Sequence, residues 1–312
     1  MKKKRKNRIL LSINVVGWAY DNRADNLIKE LSWKYDFQKI TIDECASKKP
    51  DFFADFDCIF LPFWENCHYL ETLQKNIPKE KLMTGVFSWA SWKGNEKKLL
   101  HHLHKHAVIV VNCHKLYKYL QGKHPNIFYT PNGVDTKVFY PIEKNETKNF
   151  IVGWAGNPDR KDVEGKDLKG YYSIIVPVLE KLKNVKLKSV LMGKNQMPIS
   201  EMPKFYNSID AYICVSENEC TPNPCMEAAA CGKPVITTVV GVMPELIKHA
   251  YNGIFIERNK ESLEKAIYYL MNNHQEALKI GKNARKIIED NWTWELLAKN
   301  YEKPFDFIIN NQ

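Results

Sequence analysis

Several patterns that would assign a class of protein at once are missing from this sequence of 312 residues. It contains neither a G-x-G-x-x-G fingerprint nor a phosphate-binding Walker loop, which argues against a dehydrogenase and an NTPase. Its eight cysteines form no C-x-x-C pair, so we expect reduced thiols in the cytosol. No apolar run approaches the roughly 20 residues that cross a bilayer, which predicts a soluble or peripheral protein.

Positive charge is concentrated in the first half of the chain. The formal net charge is +10, and residues 1–150 contain 25 Lys and Arg against 16 Asp and Glu. Such a positive field suits peripheral binding to the inner face of an anionic membrane, or binding of a polyanionic acceptor. The alternative explanation is that the charge serves solubility alone. Few arginines and no recognition helix occur in this half, so nucleic acid is not the expected partner.

Short apolar runs alternate with amphipathic stretches along most of the chain, which predicts an α/β fold with mostly parallel sheets. Strands are predicted near 8–16, 38–42, 57–61, 82–87, 107–112, 126–130, 150–154, 186–192, 211–215, 234–238 and 253–256. Helices are predicted near 22–34, 66–76, 94–105, 114–122, 170–183, 199–208, 224–231, 243–250, 260–273, 275–291 and 294–310. The pattern therefore predicts two doubly wound, Rossmann-like domains.

A polar segment without apolar period divides this pattern. Turn residues TPNGVD at 130–135 precede it, and the boundary is predicted after Glu143. The first domain is therefore 1–143, with 294–312 packing back on it, and the second is 144–293. We expect the two domains to face each other across a cleft, with ligands at the carboxyl ends of the strands.

Two carboxylates, Glu219 and Glu227, lie eight positions apart in the stretch ECTPNPCME. Asn223 suits the N-cap of a helix and Pro224 its first position, so Glu227 is predicted to lie early on that helix. Helix amides attract phosphate, while carboxylates accept hydrogen bonds from hydroxyl groups. Together they suit a phosphorylated sugar; an acidic loop beside an ordinary capped helix is the alternative.

A basic loop follows the predicted strand that ends near Gly156 and Asn157. It runs through Arg160 to Lys169, directly before Gly170. Its cations would stabilise the negative charge of a departing diphosphate. A solvated surface loop is the alternative explanation.

In their order and spacing, these motifs resemble family 4 glycosyltransferases, which are retaining enzymes of the GT-B fold that use nucleotide sugars. Four features between residues 129 and 256 carry the resemblance. They are YTPNGVDTKVFYP at 129–141, VGW at 152–154 with KG at 169–170, ECTPNPCMEAAACGKPV at 219–235, and GVMPE at 241–245 with NG at 252–253. The last predicted helix also resembles the one that returns to the first domain in this fold.

The resemblance implies a role for each matching residue. Glu219 is expected to contact hydroxyls of the donor hexose, Glu227 the ribose hydroxyls, and Lys169 the diphosphate. The family's arginine normally follows the strand glycine, where this chain has Trp154, so Arg160 is the candidate replacement. The donor site is further predicted to include Asn223, Pro224, Cys225, Gly156, Asn157 and Gly193.

In the first domain, the loop at Gly17 and Trp18 corresponds to a glycine-containing loop near the diphosphate and the acceptor. Family members usually carry a histidine after a central strand, where this chain offers Ser88 and Trp89 instead. Trp89 either stacks against a sugar ring or belongs to the core.

Histidines 101, 102, 104 and 106 do not predict a metal site. On a helix only positions three or four apart share a face, which allows two ligands but no closed tetrahedral set; His102 and His106 are the only i, i+4 pair, and a surface helix is expected. The resemblance likewise implies no essential metal or other cofactor.

The predicted function is a retaining glycosyltransferase that moves a hexose from a nucleotide sugar to a glycan, lipid-linked or protein hydroxyl. A UDP-sugar is the expected donor, with a GDP-sugar as the alternative. Two other functions stay open: a catalytically impaired GT-B binding protein, and a glycosyltransferase acting on modified DNA.

Overall fold

The computed structural model describes residues 5–62, 67–88, 95–143, 148–162 and 165–312. Its contacts divide the chain into two compact units, Met1–Gly133 with Trp294–Gln312, and Val134–Thr293. Each unit has a parallel sheet covered by helices, so the predicted α/β class with two Rossmann-like domains is confirmed.

The first unit contains a six-stranded parallel sheet in the order β2-β1-β3-β4-β5-β6. The strands are β1 (Arg8–Ile13), β2 (Asp36–Thr41), β3 (Cys58–Leu61), β4 (Leu82–Val86), β5 (Val108–Val111) and β6 (Ile127–Tyr129). The helices are α1 (Ala19–Leu31), α2 (Ile42–Ser47), α3 (Pro50–Ala54), α4 (Cys67–Asn76), α5 (Glu96–Leu103) and α6 (His114–Leu120). Strands β3, β4 and β5 are buried over their whole length, as expected of central strands covered on both faces.

The second unit contains a five-stranded parallel sheet in the order β11-β10-β9-β7-β8. The strands are β7 (Phe150–Gly156), β8 (Val185–Leu191), β9 (Ala211–Cys214), β10 (Val235–Thr237) and β11 (Ile254–Phe255). A π-helical turn, Tyr171–Ile175, leads into α7 (Val176–Leu179). The other helices are α8 (Met202–Asn207), α9 (Asn223–Ala230), α10 (Met243–Leu246), α11 (Lys260–Asn272) and α12 (His274–Asn291).

The chain ends with α13 (Trp294–Leu297), a 3₁₀ turn (Ala298–Tyr301) and α14 (Glu302–Asn310), all in the first unit. Trp294, Tyr301 and Phe305 are buried in the core that the first sheet forms with α1. The aromatic residues of this segment therefore stabilise the first unit through apolar burial.

The division between the units falls after Gly133, earlier than the boundary expected after Glu143. Several hydrogen bonds hold residues 134–143 to the second unit. Arg285 Nη1 donates to the carbonyls of Phe139 (2.5 Å) and Ala230 (2.7 Å), and the Ile142 amide donates to Asn207 Oδ1 (2.7 Å). These hydrogen bonds are formed between residues far apart in the sequence. The turn residues and the polar segment, which suggested a linker, therefore did not indicate where the division falls.

All eleven predicted strands have observed counterparts, whereas helices α2 and α3 were not predicted. A sequence signal for α2 exists, because Thr41 and Glu44 form a capping box. Among the described residues, no helix combines the length and the apolar character that crossing a bilayer requires.

The predicted helix, α5, has an exposed face that includes Lys97, Lys98 and His101, whereas His102 on its inner face and His106 beyond its end are buried. His106 Nδ1 donates to the His102 carbonyl (3.0 Å), and His124 Nε2 donates to the His106 carbonyl (3.2 Å). Burial lowers the pKa of His106 to about 4 and also lowers the pKa values of His102 and His124. Burial thus favours the neutral form of all three side chains.

These histidines predict that acid destabilises the first unit. In the unfolded chain a histidine has a pKa near 6.5, whereas His106 in the folded protein has a pKa of about 4. Between these two pH values the unfolded chain therefore binds a proton that the folded protein does not bind. Stability is therefore fully present above pH 6.5 and lost as the pH falls, by about 2 kcal/mol at pH 5 from His106 alone. Urea unfolding of wild type and His106→Gln at pH 7 and pH 5 measures this loss. The variant should lose less than wild type between the two pH values, and exposed His101→Gln should behave like wild type.

Candidate functional site

Four neighbouring strands of the second sheet end at one edge, and the predicted site residues lie on the loops that follow them. Lys169 follows β7, Gly193 follows β8, and Glu219 follows β9. The loop that contains Gly241 follows β10. Ligands of open parallel sheets bind at this edge.

An ion pair joins two of the predicted site residues across 50 positions of sequence. Lys169 Nζ donates to Glu219 Oε1, and the two side chains are only 17% and 16% exposed. Ser216 Oγ donates to the same carboxylate oxygen (2.9 Å). The structure thus brings a cation and an acceptor carboxylate together at the strand ends, where both can meet a ligand.

Arg258, which the sequence did not single out, holds these loops in place. Its Nε donates to the Val215 carbonyl (3.0 Å), and its Nη2 donates to the Asp167 carbonyl (2.5 Å). The Glu217 amide adds a bond to the Leu168 carbonyl (2.9 Å). The loops that contain Lys169 and Glu219 are therefore tied to each other through the backbone.

Asp167 orders the chain around Lys169. Its carboxylate accepts hydrogen bonds from the amides of Lys169 (2.9 Å) and Gly170 (2.8 Å) and from Ser173 Oγ (2.7 Å). Desolvation opposes ionisation of this group, but the hydrogen bonds prevail and lower its pKa. Asp167 thus remains a carboxylate that caps the turn after Lys169.

Helix α9 begins one residue earlier than expected. Pro222, not Asn223, occupies the cap position, and Asn223 and Pro224 are the first two helical residues. The Asn223 amide donates to the Thr221 carbonyl (2.9 Å), which draws the chain into the turn before the predicted cap. The prediction that Asn223 caps the helix is therefore wrong. The cap position provides no side-chain hydrogen bond to the first turn of α9.

Glu227 lies on α9 beside Tyr206 of α8. Tyr206 OH donates to Glu227 Oε2 (2.6 Å), and Tyr206 is fully buried. Desolvation raises the pKa of Glu227 to about 7, and the hydrogen bond from Tyr206 partly offsets this rise. Nothing in the sequence indicated Tyr206. Its helix and α9 meet only through the tertiary fold.

Cys225, also on α9, is buried with 1% exposure, and burial raises the pKa of its thiol. Its amide donates to the Pro222 carbonyl (2.9 Å). The amide of Cys225 is therefore hydrogen-bonded and its thiol is buried. Its donor-binding role stays a prediction.

The remaining predicted donor-site residues differ in their surroundings. The Gly156 carbonyl accepts a bond from the Met192 amide (2.9 Å), and Asn157 Oδ1 accepts one from the Asp159 amide (3.0 Å). Gly193 follows the end of β8. Arg160 is exposed, and its carbonyl accepts a bond from the Leu168 amide (3.1 Å). Its replacement of the family's arginine stays a prediction.

Trp154 is buried at the position where the family has its arginine. Its ring lies 4.5 Å from that of Tyr171, and the side chain is 3% exposed. It therefore contributes to the core rather than to a charged site.

In the first unit, Gly17 and Trp18 form the turn between β1 and α1. The Gly17 amide donates to Asp21 Oδ2 (2.7 Å), and Trp18 is 38% exposed. Ser88 is half-buried after β4, and Trp89 lies outside the described residues. Their predicted role toward acceptor or diphosphate stays a prediction. No group of three or more His, Cys, Asp or Glu in the described parts of the chain is arranged to hold a metal ion.

Adding one methyl group at Gly241 is expected to disturb the loop that contains Glu219. Gly241 has φ +52°, and a Cβ there would stand 2.1 Å from the Cys220 carbonyl oxygen. Gly241→Ala should displace the residue beside Glu219 and lower stability by about 1–3 kcal/mol. Thermal unfolding measures the loss. Gly122→Ala is the control, since its φ is also positive (+80°) but the space around it is open; an equal loss in both variants would contradict the role of the clash.

The two doubly wound units and their solved structural neighbours define a GT-B fold. Residues 142–287 match the family model "Glycosyl transferases group 1".

Two relatives and one solved structure illustrate the similarity. The chain is 27% identical over 203 residues to a probable sucrose-phosphate synthase of Thermosipho melanesiensis, covering 56% of this chain and 46% of that protein. It is 24% identical over 206 residues to the N,N'-diacetylbacillosaminyl-diphospho-undecaprenol alpha-1,3-N-acetylgalactosaminyltransferase of Campylobacter jejuni, covering 57% and 54%. The matched part thus spans about half of each relative. Anabaena HepE, solved with UDP and glucose, superposes with a TM-score of 0.74 at 14% identity, covering 96% of this chain and 99% of that one.

Proposed function

We propose that this protein is a retaining glycosyltransferase that transfers a hexose from a nucleotide sugar, with UDP as the expected nucleotide. The observation that carries the proposal is the Lys169–Glu219 pair at the carboxyl edge of the second sheet, beside α9 and Glu227. A relative named as a sucrose-phosphate synthase, another named as an N-acetylgalactosaminyltransferase, and a structural neighbour solved with UDP support it.

The site offers a matching group for each part of a nucleotide sugar. Glu219 accepts hydrogen bonds from hexose hydroxyls, and Glu227 accepts them from the ribose. Lys169 and the first turn of α9 stabilise the negative charge that develops on the departing diphosphate. In the retaining reaction, the acceptor hydroxyl attacks from the face of the leaving group, and the departing phosphate receives its proton.

The acceptor is proposed to be a hydroxyl of a glycan, a lipid-linked saccharide or a protein. The Campylobacter relative, named for a diphospho-undecaprenol substrate, supports a lipid-linked acceptor. A peripheral position at an anionic membrane belongs to the same proposal, because the first half of the chain is basic.

The decisive experiment incubates the protein with UDP- and GDP-sugars and with saccharide, lipid-linked, protein and modified-DNA acceptors. Release of nucleotide, followed by NMR assignment of the product's anomeric configuration, tests both transfer and retention. An inverted product would contradict retention. Binding of nucleotides without turnover of any donor would contradict the enzyme.

A second candidate function is a nucleotide-sugar-binding protein without transfer activity. The buried Trp154, at the position of the family's arginine, favours it. Trp154→Arg does not test this candidate cleanly, because a buried arginine would disrupt the core. Arg160→Gln is the cleaner test of this candidate. If Arg160 replaces the missing cation of an active enzyme, the substitution lowers turnover and changes nucleotide affinity less.

A further inference from the structure

The two side chains that are proposed to hold opposite ends of the donor are bonded to each other. Lys169 Nζ, proposed for the diphosphate, donates to Glu219 Oε1, proposed for the hexose. Both side chains are mostly buried, with exposures of 17% and 16%. A ligand that uses either group must therefore compete with this ion pair.

Backbone contacts keep the two loops of this pair together. Arg258 donates to the Val215 carbonyl and to the Asp167 carbonyl, one on each loop. The Glu217 amide adds a bond to the Leu168 carbonyl (2.9 Å). Because the backbones are joined at three points, we expect the ion pair to open through its side chains rather than through separation of the loops.

Ser216 holds Glu219 in place independently of the lysine. Its Oγ donates to the same Glu219 oxygen (2.9 Å), and Ser216 is 2% exposed. When Lys169 turns to a ligand, this hydrogen bond keeps the carboxylate in a mostly buried position. A buried carboxylate that has lost its cation is costly, so the exchange is favourable only if other donors replace Lys169.

An intact nucleotide sugar has replacements for both members of the pair. Its diphosphate offers charged oxygens to Lys169, and its hexose hydroxyls donate to Glu219. The nucleoside diphosphate that remains after transfer has the oxygens but no hexose hydroxyls. Its binding therefore replaces one charged contact of Lys169 by another and leaves Glu219 without compensation.

We propose that the Lys169–Glu219 ion pair selects the intact nucleotide sugar over the nucleoside diphosphate that transfer leaves behind. Both ligands compete with Glu219 for Lys169, but the hexose of the intact donor compensates Glu219. The pair also assists product release, because it forms again as the diphosphate leaves. This inference rests on the proposed function, from which it takes the roles of the two residues.

Calorimetry with UDP and UDP-glucose on the full chain tests this selection. Glu219→Gln removes the competitor for Lys169, so UDP should bind about tenfold more tightly than to wild type, the range of one charged hydrogen bond. UDP-glucose loses its contact with the carboxylate in the same variant, so its affinity should not rise. A carboxylate that only held the hexose would leave UDP affinity unchanged.

Two further variants separate competition for Lys169 from a general change of charge. Glu217→Gln removes a negative charge from the same loop, but its close partner Lys166 is 54% exposed. Exposed pairs contribute little, so UDP affinity should change by less than about threefold. Lys169→Met removes the contested cation, and adding Glu219→Gln to it should no longer tighten UDP binding.

Inorganic pyrophosphate repeats the comparison without base, ribose or hexose, and should also bind Glu219→Gln about tenfold more tightly than wild type. Equal affinities of wild type and Glu219→Gln for UDP and pyrophosphate would overturn the selection, and so would a UDP-glucose affinity that rises as much as that of UDP. Neither result affects the transfer assay. A protein that binds neither UDP nor UDP-glucose would contradict the proposed function, and the pyrophosphate comparison would still show whether Glu219 competes for Lys169.

Discussion

Replacing Glu219 by Gln is expected to lower kcat/KM for transfer by about 10²–10³-fold, equivalent to about 3–4 kcal/mol. The variant keeps the shape of the side chain and its bond from Ser216, but loses the charge that faces Lys169. Hexose hydroxyls would donate to a neutral amide oxygen, and Lys169 would remain unpaired in a site that is mostly buried. Steady-state kinetics with a UDP-sugar measures the effect.

The two members of the ion pair should act as one unit. Lys169→Met removes the cation proposed for the diphosphate, and the double variant should be much less impaired than the sum of the single effects. Glu217→Gln is a control on the same loop, because its close partner Lys166 is 54% exposed and its contact with Arg258 is a long one (3.9 Å). Such exposed pairs contribute little, so its kcat/KM should stay within about fivefold of wild type. Wild-type turnover in Glu219→Gln would contradict the assigned role.

The sequence predicted the position of this pair because parallel strands place their carboxyl ends together. Apolar runs identified β7 and β9, and Lys169 and Glu219 follow those strands. The ion pair itself was not predictable, since the two residues are 50 positions apart. Arg258 was missed for the same reason: it binds the backbone of both loops from a third segment, after β11.

Local signals were informative only where no tertiary contact competed with them. The capping box at Thr41 was present in the sequence, and α2 follows it. At α9, in contrast, a hydrogen bond from the Asn223 amide to the Thr221 carbonyl accompanies a helix start at Asn223. Pro222 therefore occupies the cap position, although asparagine is the better cap. His106 illustrates the limit of composition, because nothing in a histidine-rich stretch indicated that the residue three positions after the end of α5 would be buried.

Nucleotide-sugar affinity is expected to rise steeply with pH between 5 and 8. Desolvation raises the pKa of Glu227 to about 7, so the free protein holds this group largely protonated below neutrality. Ribose hydroxyls donate to a carboxylate, so binding favours the ionised form and releases a proton. The dissociation constant of UDP-glucose, whose diphosphate keeps its charge over this range, should be about 100-fold higher at pH 5 than at pH 8.

The raised pKa of Glu227 affects the stability of the free protein in the opposite direction, because it makes the free protein less stable as the pH rises. Its pKa is raised from 4.5, so folded Glu227 retains a proton that the unfolded chain has lost. This group's contribution is fully present below pH 4.5 and is lost as the pH rises through about 7. Bound nucleotide sugar should therefore stabilise the protein most at the alkaline end of the range.

Three variants separate this mechanism from a general effect of pH on the site. Glu227→Gln cannot titrate, so its affinity for UDP-glucose should be nearly constant from pH 5 to 8. Tyr206→Phe removes the hydrogen bond that lowers the pKa of Glu227, so the midpoint should move above that of wild type. Tyr212→Phe removes a buried hydroxyl that is bonded to Ala155 instead, and should leave the midpoint in place. If Glu227→Gln retained the full pH dependence measured by calorimetry, another group would be the titrating one and the contact of Glu227 with the ribose would be wrong.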